Sequence, residues 1–178
     1  MTPTPKRWRH VILNTRCSWL AGDPRGFRNR DHRIHSSGDY RNPPPQGEHA
    51  GLYRWMKERS GPKVVFEEAI WQTVADALRK KLTERGHRVL AVAASAVHVH
   101  LLAELPNLPS LYKHEVGVAK RYATERVKQA ITGHLWAQGG AFKPIRDHDH
   151  QRNVFEYITK KQRPAWVWDY REEGRLVC

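Results

Sequence analysis

Residues 88–105, RVLAVAASAVHVHLLAEL, decide how the rest of the chain is read. Two apolar runs, 88–94 and 96–105, meet at Ala94-Ser95-Ala96, and the pattern predicts two strands in a hairpin. In a strand, side chains two residues apart share a face. His98 and His100 therefore stand together, while Val97, Val99 and Leu101 point the other way, into a core. The histidine face is predicted to be open to a substrate. Two imidazoles on a rigid strand make half of a metal site. The same pattern also suits two ordinary polar-face histidines, so the pair does not assign itself.

Upstream, Phe66, Ile70, Val74, Leu78 and Leu82 recur every four residues and predict a helix ending at Gly86. Downstream, residues 111–131 predict a second helix, with Val116, Ala119, Tyr122, Ala123, Val127 and Ile131 on one side and Gly133 as its stop. A short strand is predicted at 142–145. A last helix follows, capped by Asp147 or Asp149, carrying Val154, Tyr157 and Ile158 and ending before Pro164. A first strand has its core at Val11–Leu13. Between it and the first long helix, residues 21–50 are rich in Gly, Pro and Arg and include Pro43-Pro44-Pro45. They read as a basic loop within an insertion spanning about 16–63, with one helical turn in 51–63. The tail, 165–178, is expected to pack only in part. With the insertion set aside, the order is βαββαβ plus a final helix. That predicts a ferredoxin-like α+β domain with an antiparallel sheet, the added helix carrying the tyrosine.

Charge narrows the partner. Lys and Arg number 31 against 18 Asp and Glu, a net of +13. Such an excess favours a polyanion, nucleic acid first. The two cysteines, Cys17 and Cys178, form neither a zinc-ligand pair nor a disulfide framework. With no apolar export core near the N-terminus and no membrane-length apolar run, a cytoplasmic, nucleoid-associated protein of a bacterial-type cell is expected.

Tyr157 is the candidate nucleophile. A phenol attacks a phosphodiester only with help, because its pKa in water is about 10. Lys160 and Lys161 follow one helical turn later, on about the same face. Tyr112, Tyr122 and Tyr170 compete for the role without comparable sequence context. Taken alone, Tyr157 reads as a core residue of an amphipathic helix and the lysines as its solvated face.

The combination resembles a known family. His98-Val99-His100-Leu101-Leu102, then Leu135-Trp136-Ala137-Gln138, then residues 142–146 and Tyr157-Ile158 occur in the order and spacing of the single-tyrosine HUH transposases. Within them the sequence is most similar to the REP-associated tyrosine transposases and their insertion-sequence relatives. The resemblance spans roughly residues 64–164. It implies a Mg²⁺ or Mn²⁺ ion held by His98 and His100. It also implies attack by Tyr157 on single-stranded or hairpin DNA, leaving a 5′-phosphotyrosine and a free 3′-hydroxyl that can rejoin without ATP. Tyr157-Ile158-Thr159-Lys160 also fits the tyrosine-x-x-lysine pattern of rolling-circle initiators, though no helicase or Walker motif accompanies it. Insertion-sequence relatives often act as dimers and the REP-associated group as monomers, so a homodimer stays open.

The sequence departs from the family in three places. The family places Gln or Asn four residues after the tyrosine as a third metal ligand. Here that residue is Lys161, and Gln162 is one further on. In an α-helix, at about 100° per residue, Gln162 lies about 140° from Tyr157. A distorted helix, another ligand or a weakened site would each accommodate this. Arg163-Pro164 stands where Asn-Pro is common, and the insertion is long. A second reading follows: a catalytically weakened, domesticated protein that binds DNA or RNA hairpins. A third is a ribosome-associated or structural basic protein. Candidate nucleic-acid contacts are Arg25, Arg28, Arg30, Arg33 and Arg41, with Phe27 and Tyr40 between them for stacking, and Lys120, Arg121, Lys143 and Arg146.

Overall fold

The computed structural model describes residues 4–27, 35–37, 42 and 44–178. The chain divides into two compact units, Met1–Thr15 with Val65–Cys178, and Arg16–Val64.

The larger unit is built on a six-stranded sheet in which every pairing is antiparallel. Its elements are β1 (Lys6–Asn14), α2 (Glu68–Glu84), β2 (Val89–Ala94), β3 (His98–Pro106), α3 (Pro109–Val127), β4 (Ala141–Pro144), α4 (His148–Glu156), β5 (Ala165–Asp169) and β6 (Glu172–Val177). The helix α1 (Ala50–Arg59) belongs to the smaller unit. Strand order is β4-β1-β3-β2-β5-β6. The first four strands have the predicted ferredoxin-like arrangement. Among the described residues no helix is long and apolar enough to cross a membrane.

β3 is central because its apolar residues need burial on both sides. The Ser95–His98 turn is closed by the Ser95 N–H and hydroxyl, both donating to the His98 carbonyl. One face of β3 presents Val99 and Leu101, in register with Leu13 and Val11 of β1 and with Ala94 and Val92 of β2. All are fully buried. α2 and α3 pack on each other and on the sheet, adding buried Trp71, Val74, Leu78, Leu82, Val116, Ala119, Ala123 and Val127. Gly86 stops α2 because φ of +78° there suits a residue without Cβ.

Two regions differ from the sequence reading. The tail forms β5 and β6 and extends the sheet past β2. The reason is alternation, since Ala165, Val167 and Asp169 are buried while Trp166 and Trp168 face the other side. The insertion is also packed more than a loop. Asp23, Phe27 and Ser36 are buried, and α1 runs for ten residues in place of one turn. The Phe27 N–H donates to the Ser36 hydroxyl, and Arg25 brackets Asp23. These bonds between short polar side chains and backbone order a segment whose composition suggests none.

Candidate functional site

The histidine face of β3 is set by register. His98 lies opposite Asn14, His100 opposite Ile12, and Leu102 opposite His10. His10 in turn faces Lys143 of β4. Cross-strand partners share a face, so His10, His98, His100 and Lys143 stand on one side. Part of that side is a second apolar cluster of Ala91, Ala93, Leu102, Ile145, Val154, Ile158, Ala165 and Val167. The expected open face is therefore covered, and His100 keeps only 5% of its exposure. Ala91, Ala93, Leu102 and Val167 present apolar area that α4 and the turn after it shield from water.

α4 begins at Asp147, whose carboxylate accepts the His150 N–H at 2.7 Å. It does not continue as an α-helix to Pro164. From Tyr157 to Lys161 it widens into a π-helical turn, and Gln162 follows in extended conformation. Such a turn accommodates one extra residue and recurs at functional sites. The Thr159 hydroxyl donates to the Phe155 carbonyl at 2.9 Å, occupying an acceptor near the widened turn. Ile158 and Thr159 are both buried beneath it.

The widened turn brings Tyr157 and Gln162 to the histidines from one segment. The Tyr157 ring is edge-on to His100 and His10, with centroids 5.6 and 5.9 Å apart, and keeps 44% of its exposure. Gln162, 8% exposed, places Oε1 3.1 Å from His98 Nε2. The His98 and His100 rings lie 4.9 Å apart, nearly perpendicular. Lys161, four residues after Tyr157, is exposed. The distorted helix foreseen as one way round the spacing problem is present, and it is Gln162 that turns inward.

Burial sets the protonation. It lowers His100 to about 3, helped by His98, His10 and Lys143. It lowers His10 to about 4, helped by Lys143 and His150. Both rings are neutral at pH 7 and keep lone pairs. Among the described residues no group of three His, Cys, Asp or Glu is placed to hold a metal. The side chains gathered here that could hold an ion are the two imidazoles of His98 and His100 and the amide oxygen of Gln162. The 3.1 Å between His98 Nε2 and Gln162 Oε1 fits adjacent ligands of an octahedral ion with bonds of about 2.1 Å, whose edges are about 3 Å. It equally fits N–H donation from the ring to the amide.

The other expected site residues divide. Lys160 is exposed and paired with Glu156 at 3.5 Å. Lys143 is exposed beside the histidines, and Arg146 is exposed just before α4. Arg121 is exposed on α3, lining a hollow with Thr124, His134 and Trp136. Lys120 is occupied structurally. Its ammonium donates to the Ala137 and Gly139 carbonyls at 3.0 Å each, and burial lowers its pKa. Arg25 is held by Asp23 and the Ser18 carbonyl and lies over the Trp19 ring. Phe27, read as a stacking residue, is buried within its own unit. Arg28, Arg30, Arg33, Tyr40 and Arg41 lie outside the described residues. Asp149 pairs with Arg152, and His150 Nδ1 accepts the Arg146 N–H.

His10 was missed from sequence. Its Nε2 lies 2.9 Å from His100 Nδ1, and it is 6% exposed. The local signal was a lone histidine beside Val11–Leu13, and only the β1–β3 register gives it a partner 90 residues away.

No family model matches the sequence, and no curated protein matches it. A solved structure described as a REP-associated tyrosine transposase bound to a REP hairpin is similar, with a TM-score of 0.46 and 14% identity, covering 89% of this chain and 68% of that one. The chain is an α+β protein with an antiparallel sheet of ferredoxin-like order, carrying a histidine–glutamine–tyrosine cluster under its last helix.

Proposed function

We propose that the protein cleaves and rejoins single-stranded, hairpin-forming DNA through Tyr157, with a Mg²⁺ or Mn²⁺ ion held by His98, His100 and Gln162. One observation carries this reading. The π turn that starts at Tyr157 delivers Gln162 to His98 while the Tyr157 ring lies against His100. A purely structural helix end has no need to collect a phenol, two neutral imidazoles and an amide at one place.

In the proposed step the Tyr157 oxygen bonds to phosphorus and the bond from phosphorus to the 3′ oxygen breaks. The phenol proton leaves Tyr157, and the departing 3′ oxygen ends protonated as a free hydroxyl. Rejoining is the reverse. The chemistry an ion supplies when bound here is polarisation of the phosphate and relief of its charge. The exposed Lys143 and Lys161 attract the DNA backbone towards Tyr157. Tyr157 is exposed enough to meet a strand, and the buried His100 below it is fixed by His10.

The test is a labelled single-stranded hairpin incubated with Mn²⁺ and resolved under denaturing conditions. The parent should yield a covalent protein–DNA adduct, and Tyr157→Phe should yield none while retaining its melting temperature. Tight hairpin binding with no adduct from the parent would assign the protein to hairpin binding without chemistry.

A further inference from the structure

We infer that His10 is a positioning residue, accepting the Nδ1 proton of His100 so that the His100 Nε2 lone pair is the one presented to the metal. The inference rests on the proposed metal site and adds a residue to it. His10 comes from β1, and its side chain is buried beside His100.

His10 and His100 share a single hydrogen bond between ring nitrogens. The separation of 2.9 Å between His10 Nε2 and His100 Nδ1 requires one proton between the two nitrogens. If His10 holds it, His100 carries its own proton on Nε2, and that nitrogen cannot bind a cation. If His100 holds it, Nε2 is a free donor and His10 accepts, with its own proton on Nδ1. A ligating histidine usually donates its other ring N–H to a fixed acceptor, which sets both tautomer and ring angle. Here another imidazole fills that role. The two rings are stacked, with centroids 5.1 Å apart and planes at 30°. His10 Nε2, 2.9 Å away, is the acceptor within reach of a proton on His100 Nδ1.

His10→Phe and His10→Gln separate this role from simple packing. Phenylalanine keeps a buried aromatic ring without an acceptor, and glutamine keeps an acceptor near the Nε2 position. Free Mn²⁺ is measured by electron paramagnetic resonance during titration of the full chain, with thermal melts to establish folding. His10→Phe should weaken Mn²⁺ binding about 10- to 100-fold, the usual cost of losing an outer partner, and His10→Gln should recover most of it. Nitrogen-15 spectra of the metal-free chain should show His100 protonated on Nδ1 in the parent and on Nε2 in His10→Phe. A folded His10→Phe that binds Mn²⁺ within twofold of the parent, or an unchanged His100 tautomer, overturns the inference and leaves the metal site standing. A parent that binds no Mn²⁺ overturns the metal site and this inference with it.

Discussion

The two faces of the sheet obey different rules. Beneath α2 and α3, Val11, Leu13, Val92, Val99 and Leu101 form a buried apolar layer, in which volume-conserving apolar exchanges are tolerated best. The other face is divided. Ala91, Ala93, Leu102 and Val167 meet Val154 and Ile158 in a second apolar cluster, yet a few ångströms away two neutral histidines are buried. Burying imidazoles gives less stability than burying leucines, so that half of the sheet is organised for something other than folding. The difference also explains the shape of the last helix. A regular α-helix satisfies the apolar half alone. The π turn satisfies it through Ile158 and still turns Gln162 towards His98.

The comparison can be pressed from its strongest consequence downward. Truncating Leu101 to Ala on the helix-covered face should destabilise the fold by about 2–5 kcal/mol, the cost of a core cavity. Denaturant unfolding measures it, and the folded fraction should bind Mn²⁺ as the parent does. Acid should act on the other face. His10 and His100 are neutral when folded and titrate near 6.5 when unfolded, so the unfolded chain binds the extra protons. Stability from this source is complete above pH 6.5 and drains as the pH falls towards about 4 for His10 and about 3 for His100. Between pH 7 and 5 the unfolding free energy should fall by up to about 4 kcal/mol, about 2 for each histidine, and His10→Phe should flatten the profile. A parent equally stable at both values would mean these histidines are not buried neutral. Smallest is the cap. Asp147→Ala removes the acceptor for the His150 N–H and should cost about 1 kcal/mol, read as a modest drop in melting temperature and a slower adduct-forming reaction.

How much of this was legible depends on range. The hairpin and both long helices follow from local periodicity, which the β2–β3 ladder keeps from Ala91 to Ala94 and breaks with a register shift between Val89 and Ala91. The histidine pair was legible for the same reason, since His98 and His100 are fixed by the pleat alone. The burial of His100 was not. It comes with His10 of β1 and Tyr157 of the π turn, both far from it along the chain. His10 was invisible because its role exists only through the β1–β3 register. Gln162 was seen as a misfit at α-helical spacing, and the rotation that corrects it is a tertiary effect of seating Ile158 in the second cluster. The strand of the tail was readable in Ala165-Trp166-Val167-Trp168-Asp169, whose strict alternation the aromatic content obscured.

We propose that the widened turn makes Gln162, not Lys161, the third arm of the metal site. Parallel Mn²⁺ titrations of Gln162→Ala and Lys161→Ala test it most directly. Gln162→Ala should weaken binding about tenfold or more, the equivalent of about 1.4 kcal/mol, while Lys161→Ala stays within about twofold of the parent. Equal affinities for Gln162→Ala and the parent would contradict the claim and leave the His98–Gln162 contact as a hydrogen bond that merely closes the end of the helix.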